Sequence, residues 1–200
     1  MENANYIYHD DVDGGYYLAD KVFRLGRNTN LNKQLVNVLG DTVRNLSMRV
    51  GHSVTLSIRS GNKAVVVLRE DPYVGLALIP TLGNSLSLNC SASGKILTAF
   101  SECPEKVIDD IDFIKLTPKT ITKKEDFIEL IERVRSEKIA FDAEEIAEGL
   151  FCISVPVLDV NDIAICSISI SGYKDRMLRN MYNLIDRIGE ARNECENLLR

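Results

Sequence analysis

Gly149-Leu150-Phe151-Cys152-Ile153-Ser154-Val155-Pro156-Val157-Leu158-Asp159 and, after Val160-Asn161-Asp162, Ile163-Ala164-Ile165-Cys166-Ser167-Ile168-Ser169-Ile170-Ser171-Gly172 are the two runs on which the fold turns. Both alternate between apolar and small polar residues, the period of a β-strand. The Asp-Val-Asn-Asp between them is turn chemistry, because Asp and Asn side chains bond to their own backbone. The pair reads as an antiparallel hairpin. Counting outward from the turn sets Cys152 opposite Ser169 and Ser154 opposite Ser167, and opposed side chains share a face. One face then carries Cys152, Ser154, Ser167, Ser169 and Ser171. The other carries Ile153, Val155, Val157, Ile168 and Ile170. A solvated sheet face would hold Lys, Glu or Thr; this polar face is small and uncharged. Just upstream, Phe141-Asp142-Ala143-Glu144-Glu145 supplies a carboxylate at Asp142. Two readings fit. A thiol, several hydroxyls and a carboxylate line a covered cavity for a small polar ligand, or the face packs under helices with each hydroxyl bonded to backbone.

Working back towards the N-terminus, Leu31, Leu35, Val38, Leu39, Leu46 and Val50 recur at helical spacing and stop at Gly51. His52 to Ile58 alternates, Ser60-Gly61-Asn62 turns, and Lys63 to Arg69 returns, which predicts a second hairpin. Val74 to Gly83 is apolar but broken by Gly75, Pro80 and Gly83. It reads as a wall over a pocket or as a buried loop. Leu86 to Asn89 predicts a short strand. Cys90-Ser91-Ala92-Ser93-Gly94-Lys95 then precedes a helix carrying Ile96, Leu97, Ala99 and Phe100. Small residues there leave helix N–H groups free for an anion, or Ser91 is a plain N-cap. Pro104 opens a short helix to about Ile111, and Leu116 to Thr122 is extended. Phe127, Leu130, Ile131 and Val134 mark another helix. A long C-terminal helix shows Met177, Met181, Leu184, Ile185, Ile188, Cys195 and Leu198 along one side. At the other end, Tyr6-Ile7-Tyr8-His9 and Tyr16-Tyr17-Leu18 flank an acidic, Gly-rich turn and predict a hairpin. Hairpins alternating with helices place the chain in the α+β class, an antiparallel sheet with helices on its faces.

The composition excludes several functions. Twenty-nine acidic against 24 basic residues in 200 give a net charge of −5, which argues against a broad basic grip on nucleic acid. No apolar run reaches the roughly 20 residues that span a bilayer, so no membrane role is expected. Five cysteines without a CxxC pair are not a disulfide framework and fit a reducing cytoplasm. Their spacings match no zinc template, and no metal is expected. The spacing GxxxxGK[ST] is absent around Gly94-Lys95, so no nucleotide cofactor is called for. A cysteine enzyme would need Cys152 as nucleophile, His52 as base and Asp142 to orient it. Neither histidine, His9 or His52, sits in a recognisable catalytic setting, and no catalytic residue is assigned. A purely structural dimerisation module is the other alternative to a ligand sensor.

Taken together, Tyr16-Tyr17-Leu18…Leu25-Gly26, Leu116-Thr117-Pro118-Lys119-Thr120, and Phe141-Asp142-Ala143-Glu144-Glu145…Gly149-Leu150-Phe151-Cys152…Ile168-Ser169-Ile170-Ser171-Gly172 resemble the IclR family of transcription regulators. Ser91-Ala92-Ser93-Gly94-Lys95 fits that family's small-residue segment. The resemblance, over roughly Tyr6 to Arg176, implies a GAF-like or profilin-like effector-binding domain over 28–200. It also implies a remnant of a winged helix-turn-helix domain, its wing hairpin and linker, over 1–27. DNA would be reached only through the missing helix-turn-helix helices, by a homodimer or tetramer. The implied ligand is a small organic acid. Ala92 and Ser93 would give backbone donors to its carboxylate. Asp142 would accept from a hydroxyl or hydrated carbonyl. Cys152 would pack beside the carbon skeleton, Ser169 and Ser171 would add hydroxyls, and Leu76 and Leu78 would form an apolar wall. Three positions depart from the family pattern: Lys138 where Gly is common, Asn89 where His is common, and Leu158 where an aromatic or His is common.

Overall fold

The computed structural model describes residue 4, residues 6–9, 14–19, 22, 30–72 and 83–200. The chain divides into two compact units, Met1–Val38 and Leu39–Arg200. In the first, β1 (Ile7–His9) pairs antiparallel with β2 (Tyr16–Leu18), Tyr8 opposite Tyr17. Tyr8 and Tyr17 stack at 5.7 Å, and His9 meets Tyr16 edge-on at 5.0 Å, so the hairpin is held by cross-strand aromatic pairs.

Helix α1 (Asn30–Val50) ends where Gly51, at φ +67°, donates its N–H to Ser47 O. Within the second unit its Leu39, Val43 and Leu46 are buried at helical spacing. Strand β3 (Ser53–Ser60) turns through Gly61-Asn62 into β4 (Lys63–Glu70). Strand β5 (Ser85–Ser87) follows, then α2 (Ala92–Ala99), α3 (Pro104–Asp109) and α4 (Lys124–Glu137). The unit closes with β6 (Ala140–Ala143), β7 (Leu150–Leu158), β8 (Ala164–Tyr173), α5 (Lys174–Arg179) and α6 (Met181–Leu198).

The six strands form one sheet in the order β5-β4-β3-β8-β7-β6, every neighbouring pair antiparallel. The expected class, α+β with helices on both faces of an antiparallel sheet, is what the chain adopts. One face carries Ile153, Val155, Val157, Cys166, Ile168 and Ile170, all buried, with α6 packed on β7 and β8. The other face meets α2, on which α3 and α4 pack, and Ile96, Leu97, Val107, Phe127 and Ile131 of these helices share one core with Ala140 and Leu158.

Three local expectations need correction. The β7–β8 register is shifted by one pair along each face: Cys152 stands opposite Ser171, Ser154 opposite Ser169, and Pro156 opposite Ser167. An irregularity between Val157 and Leu158 and a loop from Asp159 to Ile163 lengthen the connection beyond a tight turn. Because the shift is by two residues, the face assignment is unchanged. The long C-terminal helix is interrupted at Asn180, whose φ of −125° leaves the helical region. The four-residue β6, too short to show a period, was not expected as a strand.

Candidate functional site

Asp142 reaches the sheet face through β6, where it pairs with Cys152 of β7. Cys152 pairs with Ser171 of β8, and Ser171 with Ser53 of β3. A row therefore runs Asp142–Cys152–Ser171–Ser53 across four strands. The neighbouring row runs Ala140–Ser154–Ser169–Thr55. The sheet thus brings Asp142, Cys152, Ser169 and Ser171 together on one buried face, and extends it to Ser53 and Thr55. The extension was missed because β3 lies about 100 residues away in the sequence, and nothing local announces the pairing.

The start of α2 faces this row. Ala92 packs with Cys152 and Leu150, flanked by Ile146 and Ala147. Ser91 is the N-cap: its Oγ accepts from Gly94 N at 3.0 Å and donates to Ser87 O at 2.8 Å. The Gly94 and Lys95 amides are bonded to Ser91, so the first-turn N–H groups left without an intrahelical partner belong to Ala92 and Ser93. Gly94 is required by close approach. A Cβ there would stand 2.5 Å from Leu88 Cα and 2.7 Å from Leu88 O. Leu76 and Leu78 lie outside the described residues.

The hydroxyls divide between the two readings left open by the sequence. Ser154 Oγ donates to Ile168 O at 3.1 Å, and Ser167 Oγ to Ser57 O at 3.4 Å. Ser169 Oγ donates to Ser154 Oγ at 2.9 Å and keeps its lone pairs for an acceptor role. Ser171 Oγ and Asp142 Oδ2 are buried with no hydrogen-bond partner among the described residues. Buried polar atoms left unpaired are uncommon and costly. Asp142 has no solvent exposure; its Oδ1 accepts from Glu145 N at 2.7 Å and Ile146 N at 3.4 Å. Burial pushes its carboxyl up to about 6, against the opposing pull of those amides and of Lys95.

Lys95 was also missed. Its side chain is fully buried and its Nζ bonds Phe141 O at 2.7 Å and Glu145 Oε1. Burial raises Glu145 as well, with Lys95 pulling the other way. The one available signal was a lysine inside an otherwise apolar, small-residue helix.

The loop after β6 is clasped from outside. Thr117 Oγ1 donates to Glu144 O at 2.7 Å and Thr120 Oγ1 to Glu145 O at 2.7 Å. Thr120 Oγ1 also accepts from the amides of Leu116 and Thr117. Glu144, at φ +69°, takes Gly149 N at 3.0 Å and the ammonium groups of Lys119 and Lys174, the latter at 2.6 Å. The Lys119 and Lys174 bonds hold its carboxyl down at about 2.

This geometry does not support thiol catalysis. Burial and the nearby Asp142 carboxylate push the Cys152 thiol well above its ordinary value, away from thiolate. His52 lies just before β3 and packs against Gly172, where a Cβ would stand 2.5 Å from its Nδ1, and Gly172 pairs with Phe151 rather than with Cys152. No group of three or more His, Cys, Asp and Glu side chains able to hold a metal occurs among the described residues. None of their helices is long and apolar enough to cross a membrane. A separate cleft of about 510 Å³ lies between α3 and α4, lined by Ile108, Lys124, Ile128, Ile131 and Arg135, among others, and contains none of the row residues.

Residues 29–196 match the family described as bacterial transcriptional regulator IclR, C-terminal. The HTH-type transcriptional repressor AllR of Salmonella typhi is 26% identical over 184 residues, covering 91% of this chain and 68% of its own. The HTH-type transcriptional regulator KdgR of Escherichia coli K12 is 28% identical over 173 residues, covering 86% and 66%. The chain therefore spans about two thirds of the length of these relatives. An IclR homologue from Microbacterium hydrocarbonoxydans, solved in complex with 4-hydroxybenzoate, superposes with a TM-score of 0.82 at 19% identity. That superposition covers 100% of this chain and 82% of the other. At that identity the likeness speaks for the fold.

Proposed function

Because this chain belongs to the IclR family of bacterial transcriptional regulators and carries its effector domain, we propose that it binds a small organic acid on the α2 side of the sheet. The observation that carries the reading is the Asp142–Cys152–Ser171 row, with Asp142 Oδ2 and Ser171 Oγ unpaired at either side of the thiol. Amides of Ala92 and Ser93 hold the ligand carboxylate, helped by the partial positive charge of the helix start. Ser171 donates to the ligand, and Ser169, its own proton engaged with Ser154, accepts from it. Cys152 packs against the carbon skeleton as a neutral thiol. In this reading the Tyr6–Leu18 hairpin is the wing of a helix-turn-helix domain. The effector biases a homodimer or tetramer between two arrangements, which requires different affinities for the two. DNA is contacted through the recognition helices of that domain.

Calorimetry against keto, hydroxy and aromatic acids, 4-hydroxybenzoate among them, tests the site. At least one acid binds below millimolar concentration, and Asp142→Ala and Ser171→Ala each weaken it tenfold or more. Absence of binding across the panel at millimolar ligand overturns the proposal.

A further inference from the structure

The charges buried beside this site do not sum to zero. Among the described residues Lys95 of α2 is the one ammonium there, and it is committed to Phe141 O and Glu145 Oε1. Asp142 on β6 and Glu145 on the following loop are two carboxylates, and Asp142 Oδ2 and Glu145 Oε2 both lack a partner among the described residues. The other titratable groups facing Asp142 among the described residues are Cys152 of β7 and Cys90 just before α2, and burial keeps both thiols protonated. The β8 neighbour, Ser171, is uncharged. An ionised acid entering here adds a third negative charge to a region holding one positive charge, in surroundings that screen poorly.

Resting on the effector-site reading above, we propose that an anionic effector enters together with one proton, taken from solvent and placed on Asp142 Oδ2. The geometry assigns the atom. Oδ1 already accepts the amides of Glu145 and Ile146 and keeps doing so as the carbonyl oxygen of a carboxylic acid. Oδ2 is open, and once protonated it donates to an oxygen of the ligand. The two unpaired groups of the row, Asp142 Oδ2 and Ser171 Oγ, then both act as donors, which suits a carboxylate or an oxo oxygen. The free carboxyl titrates at about 6, so at neutral pH it is mostly ionised yet within easy reach of protonation. Binding therefore weakens as pH rises above about 6, approaching tenfold per unit.

Titration calorimetry at pH 7.5 with pyruvate, glycolate and 4-hydroxybenzoate, in phosphate and in Tris, reads protons taken up from the difference in buffer ionisation heat. For a probe that binds, the expected result is uptake close to one proton per ligand and a Kd about tenfold higher at pH 8 than at pH 7. His52 is held below its ordinary value by burial and by Arg176, stays neutral over this range and does not contribute. Carbon-13 NMR of labelled Asp carboxyls, with Asp142 assigned from its missing resonance in Asp142→Asn, follows the same group directly. It titrates near 6 without ligand and stays protonated through pH 8 with a bound probe. Binding without proton uptake, or an Asp142 resonance that stays ionised in the complex, overturns this inference and leaves the effector site standing. A panel in which nothing binds overturns the effector site and this inference together.

Discussion

Lys138 closes α4 at φ +56° and ψ 29°, a left-handed conformation in which a side chain costs roughly 1–2 kcal/mol relative to glycine. Its N–H still reaches Val134 O, so the chain turns into β6 as a glycine would take it. The departure at this position is a local cost and does not alter the strand's start. Lys138→Gly is expected to raise stability by ~0.5–1 kcal/mol, after allowance for unfolded-chain entropy and an exposed ion pair with Asp162. Urea unfolding measures it. Asp142 carries a larger cost. Its folded-state pKa lies above the unfolded one, so the folded chain binds the extra proton between about pH 4 and 6, and stability falls as pH rises through that window. Asp142→Asn should therefore be more stable than the parent at pH 8, by ~1–3 kcal/mol, with the gain shrinking towards pH 4. Equal unfolding midpoints at pH 8 would contradict this. Among single residues, Cys152 and the serines were legible because strand alternation puts them on one face, whereas Asp142 was marked only by lying just upstream and by the family resemblance, β6 being too short to show a period. The Lys95–Glu145 pair was not, since two charges 50 residues apart meet only through the packing of α2 on the sheet.

At the scale of elements, α2 is set by contact more than by propensity. Gly94 lies against the backbone of Leu88, and every residue from Ala92 to Ala99 is buried. Alanine at 94 would gain ~1 kcal/mol of helix propensity but would have to push the helix off that backbone, a shift that costs ~1–3 kcal/mol or more. Gly94→Ala is expected to lower the melting temperature by several degrees and to weaken acid binding more than stability alone accounts for. A thermal melt and calorimetry together check both. Elements with a strong period were readable: α1 with its Gly51 stop, the β3–β4 hairpin, α4, β7 and β8. The register of β7 against β8 was not, because it depends on how many residues the connection absorbs. Here Asp159 Oδ1 accepts from the amides of Asn161 and Ile163 and draws the loop out. The break at Asn180 was hidden because apolar residues keep helical spacing on both sides of it.

For the whole molecule, charge decides what the chain can grip. With a net charge of −5 and Asp10, Asp11 and Asp13 between the hairpin strands, the 200-residue chain opposes rather than attracts phosphate. It is expected to give no sequence-specific mobility shift even at low salt, where electrostatic binding is strongest. A specific shift would show that DNA contact does not need recognition helices. The fold class followed from hairpins alternating with helices.

The clasp formed by Thr117, Thr120, Lys119 and Lys174 on the Glu144–Glu145 segment bears on time as well as on architecture. Asp142 has no solvent exposure, so some part of its cover must open before any ligand arrives. Observed association rates should then stop rising with ligand concentration and level off at the opening rate. In stopped-flow experiments Lys119→Ala is expected to lift that plateau. A sensor built this way answers slowly to a brief pulse of metabolite and holds its answer after the pulse has passed.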